Sequence, residues 1–117
     1  MVDLKLVILM ERLERKTTKE VLWPYILRLL QERPMYAYGL RQEIDKRFGW
    51  KPPMVTSYTV LYRLQREGYL TIEWKEQRGK PARKYYKITE KGQELLKEAE
   101  EYLAGLNKKL FKKRTSS

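Results

Sequence analysis

A chain of 117 residues with 26 Lys and Arg against 15 Asp and Glu carries a formal net charge of +11, and 42% of it is apolar. It has neither Cys nor His, which excludes zinc fingers, thiol enzymes and Ser-His-Asp triads, since each needs one of them at defined spacing. The balance predicts one small basic domain over residues 1–117 with material for a core, and excludes a disordered basic tail.

At the N-terminus, Val2, Leu6, Leu9 and Leu13 recur at helical spacing and predict a helix over residues 2–15. Leu4, Val7 and Ile8 lie off that stripe. A helix apolar on two sides needs two surfaces, one from its own domain and one from a second subunit. The longest apolar run, Leu6 to Met10, falls far short of the roughly 20 residues of a membrane span, and nothing around it resembles a signal peptide. The expectation is a soluble, cytoplasmic protein without a membrane partner.

Thr17 followed by Glu20 reads as a capping box, and Leu22, Tyr25, Ile26, Leu29 and Leu30 continue a helical face to about Gln31. Pro24 leaves two alternatives, a helix starting near Trp23 with the proline in its first turn, or a kink. A second helix follows Pro34, with Ala37, Leu40, Ile44 and Phe48 on one face and Gly49 as its stop. A third runs from about Met54 to Glu67, burying Leu61 and Leu64. The period then changes. Leu70, Ile72 and Trp74 alternate, and Lys84 to Ile88 is Tyr-rich, which predicts a hairpin with Gly79 and Pro81 at its tip. A last helix over residues 90–113 carries Leu96, Ala99, Leu103, Leu106 and Leu110 at the 3-4-3-4 spacing of a coiled-coil seam.

Positive charge concentrates in two places, since residues 75–87 and residues 108–117 each carry +5. Three helices followed by a basic hairpin make a winged helix-turn-helix, mainly α with a β-hairpin wing, spanning residues 18–89. In that fold the third helix enters the major groove and the wing meets the flanking backbone. On the third helix, Tyr58, Tyr62 and Arg63 read as DNA contacts, Arg63 having the fork that reads guanine, or as solvated or half-buried surface, and Thr59 is a further candidate for DNA contact. Thr56 and Ser57 are candidates for DNA contact that could equally cap the helix, and capping does not prevent a phosphate contact. Wing residues Arg78, Lys80, Arg83 and Lys84 are candidates for phosphate. Tyr38, at the entry of the second helix, reads as a DNA contact or as core packing. Lys108, Lys109, Lys112, Lys113 and Arg114 read equally as phosphate contacts or as a solvated end. The expected dimer surface comprises Leu6, Leu9 and Leu13 of the first helix with Leu96, Ala99, Leu103, Leu106 and Leu110 of the last. Glu94, Glu98 and Glu101 fall opposite that seam and read as a solvated face, not as a catalytic pair or metal site. Trp23, Trp50 and Trp74 read as core or interface aromatics. No catalytic residue, metal site or cofactor is implied.

Three strings in this order and spacing carry a family resemblance. They are Pro34-Met35-Tyr36-Ala37-Tyr38-Gly39-Leu40, then Thr56-Ser57-Tyr58 with Leu61, Leu64 and Gly68, then Gly79-Lys80-Pro81-Ala82-Arg83-Lys84-Tyr85-Tyr86-Lys87-Ile88-Thr89-Glu90-Lys91-Gly92. Over about residues 20–105 the chain resembles the PadR family of transcriptional regulators. It departs from that family at Arg33 and Ala37, where Gly is common, at Gly39, where an acidic residue is common, and at Ser57, where Leu is common. The resemblance implies a dimeric repressor of its own or a neighbouring promoter, joined through its first and last helices. Some relatives bind planar aromatic drugs through a Trp of the last helix. Here that helix has Tyr102 and Phe111 but no Trp, so that ligand function does not carry over, and a small-molecule effector of another kind stays open as an unknown partner. The expected function is sequence-specific regulation of transcription from a palindromic operator in double-stranded DNA by a homodimer. The alternatives are a winged helix that docks proteins and a non-specific architectural DNA binder. A docking module has no need of a wing at +5, whereas phosphate binding has.

Overall fold

The computed structural model describes residues 3–113, so that Val2 of the first stripe and Arg114 of the basic tail lie outside the described residues. In chain order the elements are α1 (Leu4–Thr17), α2 (Trp23–Leu30), β1 (Met35–Tyr36), α3 (Ala37–Phe48), α4 (Met54–Arg66), β2 (Leu70–Gln77), β3 (Lys80–Ile88) and α5 (Glu90–Leu110). It is a mainly helical fold with a small antiparallel sheet of order β1-β3-β2.

Asp3 starts α1 by accepting a hydrogen bond from the Lys5 amide at 2.9 Å, an N-cap the leucine pattern does not announce. The other end corrects an expectation. Thr17 belongs to α1, and its hydroxyl donates back to the Leu13 carbonyl at 2.8 Å, so no capping box opens α2 and α1 extends past residue 15. A hydroxyl satisfies a helix carbonyl as readily as it caps an amide, which is why Thr marks either end. Of the two alternatives for Pro24, the first holds: α2 begins at Trp23 with the proline in its first turn, where it sacrifices no helical hydrogen bond.

The core gathers where α2, α3 and α4 meet the sheet. Ile26, Leu27, Leu29 and Leu30 of α2 close on Leu40 and Ile44 of α3, Leu61 and Leu64 of α4, and Leu70 and Tyr86 of the strands. Full burial of each such leucine or isoleucine contributes about 1.5–3 kcal/mol. Arg47 of α3 grips Glu32, just beyond α2, through two hydrogen bonds of 2.5 and 2.7 Å. That fork, with a smaller contribution from Arg28, holds the Glu32 carboxyl down at about 2. Arg41 donates to the Pro52 carbonyl at 2.9 Å and thereby ties α3 to the turn from which α4 departs. Gly49 ends α3 with φ at 76°, a left-handed conformation that glycine adopts without a Cβ penalty.

The sheet differs from the expected two-stranded hairpin. β1 adds a third strand, pairing Met35 with Tyr86 and Tyr36 with Tyr85. β2 and β3 pair from Leu70 and Ile88 out to Gln77 and Lys80, with an irregularity between Lys75 and Gln77. The tip therefore shrinks to Arg78 and Gly79, and Pro81 lies inside β3. Pro81 is tolerated because beyond Tyr85 β3 has a neighbour on one side only.

Thr89 joins the wing to α5. Its hydroxyl accepts from the Gly92 amide at 3.1 Å and donates to the Gly68 carbonyl at 2.7 Å. Gly92 is required there, since a Cβ would collide with the Tyr69 carbonyl oxygen. α5 ends at Leu110 and not at residue 113. Only its first turns touch the core, and Leu96, expected on a dimer seam, is instead buried within the protomer. The reason is that α5 packs on α2 along these turns, and Leu96 falls on the packed face. No residue of α1 is buried. With two projecting helices the chain extends 66 Å and has a radius of gyration of 17.7 Å, against the ~13 Å of a compact chain of similar length. Among the described residues no helix is long and apolar enough to cross a membrane.

Candidate nucleic-acid interface

α4 presents one face to the core and one to solvent. Ser57, Leu61 and Leu64 are buried, while Val55, Tyr58, Thr59, Tyr62, Arg63 and Arg66 form an exposed stripe at helical spacing. Ser57 corrects the expectation of a DNA contact. It is 3% exposed, and its hydroxyl donates to the Pro53 carbonyl at 2.7 Å. Thr56, one position earlier, is half-buried. Thr59 keeps its side chain on the outer face but spends its hydroxyl proton on the Val55 carbonyl at 2.9 Å. Val55, 80% exposed, and Arg66 share this outer face and were not among the expected contacts, although the period that placed Tyr58 and Tyr62 outward also places them there.

The wing lies beside this helix. Arg78 and Lys80 stand exposed at its tip. Lower down the cations rest on tyrosines: Lys75 Nζ lies 4.4 Å from the Tyr85 ring centroid, the Arg83 guanidinium 4.1 Å from that of Tyr36, and Lys84 Nζ 5.3 Å from that of Tyr86. Tyr38 is exposed and stacks on Tyr36 with 6.2 Å between centroids, which rules out the core-packing reading. Burial, with the neighbouring Tyr58 adding to it, pushes the pKa of the Tyr86 hydroxyl upward. Tyr36, Tyr85 and Lys75 were not foreseen as part of this surface, because nothing short of the strand register sets them side by side. Of the tryptophans, Trp23 and Trp50 pack against the core, whereas Trp74 is exposed on the wing.

An exposed helix stripe flanked by a basic two-stranded wing is what a winged helix-turn-helix offers a duplex, and the sequence carries the same assignment. Residues 26–98 match the transcriptional regulator PadR-like family. The chain belongs to that family. Among solved structures, it is 33% identical to a PadR-like transcription factor from Bacteroides fragilis, with a TM-score of 0.72, over 85% of this chain and 95% of that one. A PadR family transcriptional regulator from Eggerthella lenta is 30% identical, with a TM-score of 0.70, over 93% of this chain and 96% of that one. Bacillus subtilis PadR, solved in complex with operator DNA, shares the fold at 22% identity and a TM-score of 0.62, over 82% of this chain and 50% of the other. A comparison with curated proteins gave no match. The PadR-like family and these structural relatives are regulators of transcription, not enzymes.

In this PadR-like regulator the residues expected at a dimer surface divide. Leu6, Leu9 and Leu13 of α1 and Leu103, Leu106 and Leu110 of α5 are exposed, Ala99 is half-buried, and Leu96 belongs to the core.

Proposed function

We propose that the protein is a homodimeric, cytoplasmic repressor of transcription that binds a palindromic operator in double-stranded DNA. The observation that carries this reading is the exposed stripe of Val55, Tyr58, Tyr62 and Arg63 on α4 set beside a wing at +5. Tyrosine hydroxyls donate to phosphate, Val55 suits a thymine methyl group, and Arg63 suits the paired acceptors of guanine. Arg78, Lys80 and Tyr38 hold the flanking backbone. Dimerisation is supported by the large apolar side chains that α1 and the distal half of α5 leave in water, a surface unlike that of a stable monomer. A two-fold dimer presents two copies of α4, and a palindrome is the DNA sequence that matches such a pair.

Titrating the protein against duplex from upstream of its own gene, beside a scrambled duplex at equal salt, tests the reading. A preference of about a thousandfold or more is expected for an operator. A ratio near one overturns it in favour of an architectural binder, and absence of binding to both duplexes favours a protein-docking module.

A further inference from the structure

Arg83 has the sequence of a phosphate contact and the surroundings of a strut. Register places it directly opposite Lys75, and two like charges at that position repel. Each charge is drawn off by a different ring, Lys75 by Tyr85 and Arg83 by Tyr36. With the Gln77 amide turned so that its oxygen faces Arg83, that oxygen accepts from Arg83 Nε at 2.8 Å and from Nη1 at 3.1 Å and engages the same guanidinium from β2. The opposite amide orientation would set donors against donors.

The platform under Arg83 is itself held. Tyr36 pairs with Tyr85 across the sheet and precedes α3 as its N-cap residue. Its ring lies against Tyr85 at 5.5 Å and Tyr38 at 6.2 Å between centroids. It also occupies space that residue 39 leaves by being glycine, where a Cβ would come within 3.3 Å of the ring. Tyr36 marks the end of β1 pairing, so from Lys84 to the tip the wing is a two-stranded ribbon. Such a ribbon is marginal in water on its own. Arg83 is the side chain that spans β3, β2 and the start of α3 at this junction.

On the DNA-binding reading, we infer that Arg83 is a positioning residue that bolts the wing to the helix-turn-helix, leaving the phosphate contacts to Arg78 and Lys80 at the tip. A ribbon fixed at its root presents the tip at a set distance from α4, and the ordering cost is met in folding instead of in binding.

The test uses the full chain and four variants, Arg83→Ala, Arg83→Lys, Tyr36→Leu and Lys80→Ala. It measures amide hydrogen exchange over residues 73–84 in the free protein and the slope of log affinity against log salt with an operator-length duplex. Arg83→Ala should speed wing exchange about tenfold, leave α2 to α4 unchanged, and weaken binding without flattening the salt slope. Arg83→Lys should behave like Arg83→Ala although it keeps the charge, because Lys lacks the planar fork. Tyr36→Leu should reproduce the faster exchange. Lys80→Ala should do the reverse, flattening the slope by roughly 0.9 for each phosphate no longer neutralised and leaving wing exchange alone. The inference is overturned if Arg83→Ala flattens the slope as Lys80→Ala does, if Arg83→Lys restores binding, or if wing exchange is unchanged in both Arg83 variants. Should wild-type protein bind no duplex at about 50 mM salt, the DNA-binding reading fails, while the exchange experiment still decides whether Arg83 fixes the wing.

Discussion

Arg63 is where reading a base separates from holding a backbone. It lies on the outer stripe of α4, away from buried Leu61 and Leu64, and an arginine fork can bond two guanine acceptors at once. We predict that Arg63→Ala costs about 1–3 kcal/mol per half-site on operator DNA and much less on scrambled DNA, shrinking their ratio. Affinities measured at one fixed salt check this, and an unchanged ratio rejects the base-reading role. Glu32 governs a different property. The Arg47 fork lowers its carboxyl from 4.5 to about 2 in the folded protein, so the folded state binds the proton less readily than the unfolded chain. The stabilisation is present above pH 4.5 and is lost as pH falls toward 2. Glu32→Gln should therefore flatten the fall of melting temperature across that window, and curves that run parallel would show that the pair contributes nothing. Side-chain direction was readable wherever helical period sufficed, as for Tyr58, Tyr62 and Arg63. Ser57 was misread because its hydroxyl suits a cap, a phosphate and a helix carbonyl alike, and the Pro53 carbonyl takes it.

At the scale of elements, the two helices that contribute least to the protomer's core are those with apolar faces in water. α1 has no fully buried residue, and α5 leaves Leu103, Leu106 and Leu110 exposed. Covering Leu103 and Leu106 in a dimer contributes about 1.5–3 kcal/mol for each full burial. Leu103→Glu with Leu106→Glu should thus give a monomer that stays folded, because neither leucine belongs to the protomer core. Sedimentation velocity at micromolar concentration is the check, and a wild-type protein already monomeric there removes the dimer. The helices were legible because ten or more residues sample the 3.6-residue period several times over. β1 was not, since the two residues Met35 and Tyr36 are too few to alternate. The wing ends were misplaced because Gly79 and Pro81 both signal a turn, yet only Gly79 takes a left-handed backbone, with φ at 71°. Thr17 marked a helix end correctly and the wrong helix.

The whole molecule poses the question of spacing. A protomer 66 Å long with a radius of gyration of 17.7 Å is a winged unit with helices projecting from it. A dimer built from those projections fixes the distance and rotation between its two α4 helices. α5 leaves the core at Leu96, and Thr89 and Gly92 secure its start against Gly68 and the Tyr69 backbone, so that little freedom remains between wing and projecting helix. A rigid pair of recognition helices reads half-sites on one side of the duplex, separated by about one helical turn or a multiple, roughly 34–36 Å per turn. Inserting five base pairs between the half-sites adds about half a turn and carries the second to the opposite side. The dimer then engages one half-site specifically, and affinity should fall about tenfold or more, equal to at least about 1.4 kcal/mol. Adding about ten base pairs restores the facing but lengthens the span by about 34 Å, and a rigid dimer should fail on that duplex as well. Gel shift or fluorescence anisotropy with the three duplexes at one salt concentration separates the cases. Recovery on the ten-pair insertion would mean that the winged units swing independently of α5, and equal affinity for all three would mean that each unit binds alone.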